Sequence, residues 1–171
     1  MNRVHVDESE ERSGSHMRRE ALEAPGIIEA QFARNAALMQ TLGALLRDAP
    51  PPSMLTVARG SSDYAAQYTA YLIAARLGRL VTSLPMSLVT LYGAPIDCNG
   101  LTALAFSQSG QSPDVVEPIR SFRAQQANTV AFVNDEHSPL AQAAQWLVPL
   151  CAGAERSVAA TKSFIAQLGA G

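Results

Sequence analysis

Between residues 27 and 47 the apolar side chains Ile27, Ile28, Phe32, Leu38, Met39, Leu42, Leu45 and Leu46 recur near helical spacing, and Pro50-Pro51-Pro52 stops the pattern. The period then changes. Residues 54–58 form a short apolar run of strand length, followed by Arg59-Gly60-Ser61-Ser62-Asp63 and a helical stretch carrying Tyr64, Tyr68, Tyr71, Leu72 and Leu77. Residues 80–84 read as a second strand, 85–93 as a loop with one helical turn, and 101–106 as a third strand. A helix is predicted over 113–126, a strand over 129–133, and a short alanine-rich helix from Pro139. A fifth strand over 145–150 and a last helix over 157–168 complete the pattern. Strands alternating with helices at this spacing need crossover connections, which require a mostly parallel sheet covered on both faces. The prediction is an α/β fold: a three-layer αβα sandwich, flavodoxin-like, with a five-stranded mostly parallel sheet. Ligands of such open sheets bind beyond the carboxyl ends of the strands, where the loops after residues 58, 106 and 150 would gather.

Composition changes this picture little. The chain has 171 residues, 47% of them hydrophobic and 16% charged, as expected of one globular domain. Residues 2–15 are polar and acidic without period, and Gly14-Ser15-His16-Met17 resembles a cloning scar. Residues 1–17 are therefore expected to be a disordered or vector-derived leader, with His5 and His16 solvated, and 18–171 a single domain. A formal net charge of −2 gives no basic footprint for nucleic acid, so an anionic ligand would be held by local geometry. Cys98 and Cys151 have no metal-like spacing and read as free thiols; no metal or cofactor is expected. No apolar stretch reaches membrane-spanning length and no signal core follows the first charges, so the expected compartment is the cytoplasm.

The chemistry lies in three loops. Ser107-Gln108-Ser109-Gly110-Gln111-Ser112 leaves an apolar run and leads into Pro113-Asp114, where Ser112 is a good N-cap and Pro113 suits the first helical position. The free backbone N–H groups, the helix dipole and the hydroxyls of Ser107, Ser109 and Ser112 could hold a phosphate without a cationic side chain. A plain capped turn fits this loop about equally well. Gly60-Ser61-Ser62 repeats the logic: glycine for a tight turn and close approach, serines for capping and hydroxyls. Arg59 could neutralise an anion, although a surface-paired arginine accounts for it better, and Asp114 fits the helix dipole better than a general base. In the third loop, 151–162, Lys162 is the chain's single lysine, near a helix start that slightly disfavours it. That conflict calls for a partner, either Glu155 or a ligand. Dinucleotide and Walker patterns are missing, no nucleophile elbow is present, and His137 reads as a loop histidine before a helix.

Together Arg59-Gly60-Ser61-Ser62, Ser107-Gln108-Ser109-Gly110-Gln111-Ser112-Pro113 and Glu155-Arg156-Ser157-Val158-Ala159-Ala160-Thr161-Lys162 resemble, in order and spacing, the signature of sugar isomerase (SIS) domains. The loops look closest to sugar-isomerase-type glucosamine-6-phosphate deaminases and to the isomerase half of glutamine:fructose-6-phosphate aminotransferases. The resemblance implies that Ser61, Ser62, Ser107, Gln108, Ser109 and Ser112 hold the phosphate of a phosphorylated (amino) sugar, with Gly60 and Gly110 shaping the loops. It implies that the Val158-Ala159 backbone faces the sugar near Lys162. Ala160 departs from the aminotransferase pattern, which has a serine there. Enzymes of the family carry two such domains, with the proton-transferring glutamate and lysine in the second. This chain alone is therefore expected to bind without turnover, its catalytic residues unknown, and to form a homodimer through the face a second domain would cover. No cysteine follows Met1 or Met17 to start a glutaminase, which favours deaminase over synthase. The competing readings are a phosphosugar-sensing regulator module and a flavodoxin-like nucleotide or flavin binder. Neither the helix-turn-helix of the first nor the glycines and aromatics of the second is evident in the sequence.

Overall fold

A computed structural model describes residues 8–171, with side chains from residue 16 onward. Residues 1–7 of the expected leader, His5 among them, lie outside the described residues, and the chain is helical from Glu8. His16 is half-buried, and the Arg19 guanidinium donates to its Nδ1 at 2.7 Å. The element order is α1 (Glu8–Asp48), β1 (Met54–Ala58), α2 (Ser61–Leu77), β2 (Val81–Ser83), α3 (Ser87–Thr90), β3 (Thr102–Ser107), α4 (Pro113–Ala124), β4 (Asn128–Val133), α5 (Pro139–Ala143), β5 (Trp146–Pro149) and α6 (Lys162–Ala170). All five strands are parallel, in the order β2-β1-β3-β4-β5. The predicted α/β sandwich is the fold observed.

The sheet is buried on both faces, which is why its central strands read as apolar runs without alternation. Along β3 the side chains divide by face. Ala103 and Ala105 join Val57, Val115, Ile119, Phe122 and Leu140 in one core, while Leu104 and Phe106 join Leu42, Ala66, Val148, Leu150 and Ala166 in the other. Phe106 and Phe132 stack within the second core, ring centres 4.5 Å apart and planes 4° from parallel, an arrangement adjacent parallel strands favour.

Two helices differ from expectation for an identifiable reason. α1 starts well before residue 27, and its buried positions are Glu20, Ala24, Gln31, Asn35 and Leu42. These lie on one stripe of helical period, but three of them are polar, so a search for apolar residues overlooks the stripe. Pro25 sits on the exposed side of α1, where the carbonyl it leaves without an N–H partner can be hydrated. At the other end, α6 begins at Lys162 and not at residue 157, because side chains from α1 and Glu155 hold the preceding segment in an irregular path.

Candidate functional site

The strand register brings the loops together. Ala58 pairs with Phe106, Phe106 with Phe132, and Val133 with Pro149, so β1, β3, β4 and β5 end level with one another. The segments beginning at Arg59, Gln108, Asn134 and Leu150 therefore open on one edge of the sheet.

In the first loop Gly60 is the N-cap of α2 with φ 57° and ψ −134°, a conformation that strains any side chain. It offers no capping side chain, and Ser61 and Ser62 occupy the first turn with hydroxyls that have no partner among the described residues. In the second loop the Ser107 hydroxyl accepts the Gly110 N–H at 2.9 Å and so closes the turn. Ser109 is exposed, with only a long 3.4 Å bond from the Gln111 N–H to its oxygen. Gly110 has φ 64°, and a Cβ there would come within 2.2 Å of the Ser138 hydroxyl and 2.9 Å of Val133. This glycine lets α5 press against the loop, and the Leu140 N–H donates to its carbonyl at 3.1 Å. Ser112 takes the predicted N-cap position of α4, yet its hydroxyl makes no cap bond.

Asn134, one residue past β4, ties the second loop to the third. Its N–H donates to the Gln108 carbonyl at 3.3 Å, its Nδ2 to the Gly153 carbonyl at 2.7 Å, and its Oδ1 accepts from the Ala152 N–H at 2.8 Å. A second link joins the first two loops: the Arg59 Nη1 donates to Asp114 Oδ2 across the opening between them. Sequence reasoning passed over Asn134, although its place at a strand end among three candidate loops is a usable signal.

The third loop is held from α1. Glu20, 2% exposed, accepts the N–H of Arg156 at 2.7 Å, the N–H of Ser157 at 3.1 Å and the Ser157 hydroxyl. The Ser157 hydroxyl is the largest influence on its carboxyl, which the loop's donors together hold at a pKa of about 2 against burial pushing the other way. Glu155 closes the loop on itself by accepting from the Thr161 and Ser163 N–H groups and from the Ser163 hydroxyl. Lys162 is 5% exposed and its Nζ donates to Glu23 Oε2 at 2.8 Å, so its partner is neither Glu155 nor solvent. Further along α1, Gln31 donates to the carbonyls of Leu150 and Ala166, and Asn35 to that of Pro149. Val158 and Ala159 are thereby presented outward, Val158 at 86% exposure.

The SIS domain model matches residues 45–171, which is most of the chain and all three loops. The chain belongs to the SIS domain family. Its sequence is 30% identical over 175 residues to a glutamine–fructose-6-phosphate aminotransferase of Thermus thermophilus, covering 98% of this chain and 29% of that protein. The same enzyme of Gluconobacter oxydans is 32% identical over 68% of the chain and 19% of that protein. Among solved structures, a protein of Silicibacter pomeroyi assigned as a phosphosugar isomerase superposes with a TM-score of 0.86 at 38% identity, over 90% of this chain and 47% of that one. The C-terminal domain of the Francisella tularensis glucosamine-fructose-6-phosphate aminotransferase superposes at 0.78 with 24% identity, over 91% and 44%. The chain thus spans less than half the length of each of these relatives.

Two features of the SIS domain bear on where chemistry could occur. Glu20 and Glu23 fall before the matched span and still fix the path of its last loop. A mostly apolar cavity of about 210 Å³, lined by Met54, Ile73, Leu104 and Trp146 among others, lies toward the opposite end of the strands; Thr102 Oγ1 and Trp146 Nε1, two residues of its lining, are buried without a hydrogen-bond partner. No group of three metal-ligating side chains occurs among the described residues, and no helix described is long and apolar enough to cross a membrane.

Proposed function

We propose that this SIS domain binds a phosphorylated amino sugar or its ketose counterpart, as the substrate-holding part of an amino-sugar phosphate deaminase/isomerase. The parent reaction is glucosamine-6-phosphate plus water giving fructose-6-phosphate plus ammonia, or its reverse. The observation that carries this is the meeting of two helix N-termini, both without a side-chain cap, at one sheet edge and flanked by serine hydroxyls. Ser61, Ser62, Ser107, Gln108, Ser109 and Ser112 take the phosphate, Gly60 and Gly110 allow its approach, and Val158, Ala159 and Lys162 border the sugar. Proton transfer between C1 and C2 needs a base, and these loops present no obvious one, so the domain binds and orients. The Arg-Gly-Ser-Ser and Ser-Gln-Ser-Gly-Gln-Ser-Pro loops favour the deaminase reading. The isomerase domain of an aminotransferase is the second reading, favoured by the likeness to the Thermus and Gluconobacter enzymes.

The same reading makes the chain a cytoplasmic homodimer. Tyr64, Tyr68 and Tyr71 are exposed along one side of α2, and a second copy is the partner proposed for that face.

Calorimetric titration of the chain with glucosamine-6-phosphate and fructose-6-phosphate tests the proposal. Saturable binding of at least one, weakened in Ser109→Ala, is expected. No heat from either sugar phosphate overturns it. Ammonia release from glucosamine-6-phosphate by the full-length protein without glutamine separates deaminase from aminotransferase.

A further inference from the structure

Arg59 is the last residue before the first serine loop, and Asp114 stands in the first turn of α4, just past the second. Their ion pair bridges the opening between the loops. The side chains are 58% and 41% exposed, and a pair that open to water adds little to folding stability. Its position matters more than its strength. The Asp114 carboxylate lies at the positive end of the α4 dipole, the feature an anionic ligand would use, and an uncompensated negative charge there repels a phosphate dianion. Lys162, the other cation near the loops that sequence reasoning singled out, is committed to Glu23. Arg59 engages Asp114 through Nη1, and a guanidinium carries five N–H donors, so others remain for a second anion.

We propose that Arg59 is a specificity-determining residue of the serine-loop site: it cancels the charge of Asp114 and so lets the hydroxyl cradle accept a sugar phosphate dianion. This rests on the phosphosugar reading above. A site built from hydroxyls and backbone N–H groups has little charge of its own, so compensation of the carboxylates in the first turns beside it, Asp114 in α4 and Asp63 in α2, bears on whether dianions enter. Arginine suits the task because its charge persists at any physiological pH and its planar fork contacts carboxylate and phosphate together.

The experiment is a double-mutant cycle on the chain as it stands, with Kd measured by calorimetry for fructose-6-phosphate, glucosamine-6-phosphate and inorganic phosphate. Arg59→Ala is expected to weaken all three by about tenfold or more, because the Asp114 carboxylate is then left uncompensated beside the ligand. Adding Asp114→Asn to Arg59→Ala is expected to recover most of that loss, because the stranded carboxylate is then gone. Arg59→Lys should lie between, keeping the charge without the fork. Thermal unfolding of all variants should match the unaltered chain, which separates this role from a structural one. Unchanged affinity in Arg59→Ala overturns the assignment, and so does a double variant no tighter than Arg59→Ala alone. Failure of the unaltered chain to bind any sugar phosphate instead overturns the phosphosugar reading, and this assignment with it.

Discussion

Glu20 provides the sharpest test of how the third loop is held. Glutamine at this position is nearly the shape of the protonated acid, so Glu20→Gln compares the site with and without its charge. The Ser157 hydroxyl first, then the backbone N–H groups of Arg156 and Ser157, hold the native carboxyl at about 2, well below its ordinary 4.5. That difference corresponds to roughly 3 kcal/mol of stability when the group is ionised. A count of contacts gives a similar size. The Ser157 N–H and O–H are buried against Glu20 and each would cost about 1–3 kcal/mol if left without a partner. The Arg156 N–H belongs to an exposed residue and can turn to water. Because the folded pKa is depressed, this stability is fully present above the unfolded value of 4.5 and is lost as pH falls toward about 2. Guanidinium denaturation of the native chain and Glu20→Gln across that range is the assay. The variant should be less stable by about 1–3 kcal/mol at neutral pH, with the gap closing as the native carboxylate protonates. A gap that stays constant with pH would refute the charge-based account, and no gap at any pH would refute the contact itself.

Gly110→Ala should destabilise the chain by about 1–3 kcal/mol in urea unfolding, since the new Cβ meets Ser138 at 2.2 Å and the residue has φ 64°. Asn134→Ala should speed amide exchange at Ala152 and weaken sugar phosphate binding several-fold, because it severs the 2.7 and 2.8 Å bonds that fix the third loop against the second. Sedimentation should show a dimer that Tyr68→Glu with Tyr71→Glu converts to monomer, both residues lying on the exposed side of α2; a monomeric native chain would remove the second copy from the proposal.

The central strands were legible because strands buried on both faces must be apolar throughout, as residues 54–58, 102–107 and 128–133 nearly are. The edge strand β2 was found at its place but proved two residues shorter, its exposed Thr82 and Ser83 reflecting a strand paired on one side only. What the sequence concealed was long-range and polar. Glu20 lies 137 positions from Ser157 and Glu23 lies 139 from Lys162, separations at which no local period can announce a contact. The single lysine did signal that it needed a partner, and the small and polar residues at 20, 24, 31 and 35 share a helical stripe that could have nominated α1 as its source.

Whether the serine loop is a cap or a cradle turns on where its hydroxyls point. A serine serving only as a cap bonds the amide two or three residues on, which contributes about 1 kcal/mol. Ser112 stands at the N-cap of α4 and makes no such bond, and α2 starts from a glycine that has no side chain to make one. Asp63 and Asp114 in the first turns offset part of the loss through the helix dipoles, but Asp114 is itself engaged by Arg59. Among the helices whose caps are described only α5 has a side-chain cap, so what sets α2 and α4 apart is that their two N-termini open at the same sheet edge. The phosphate proposed here would take both sets of donors, so the proposal rests on the pair of loops and on neither one singly.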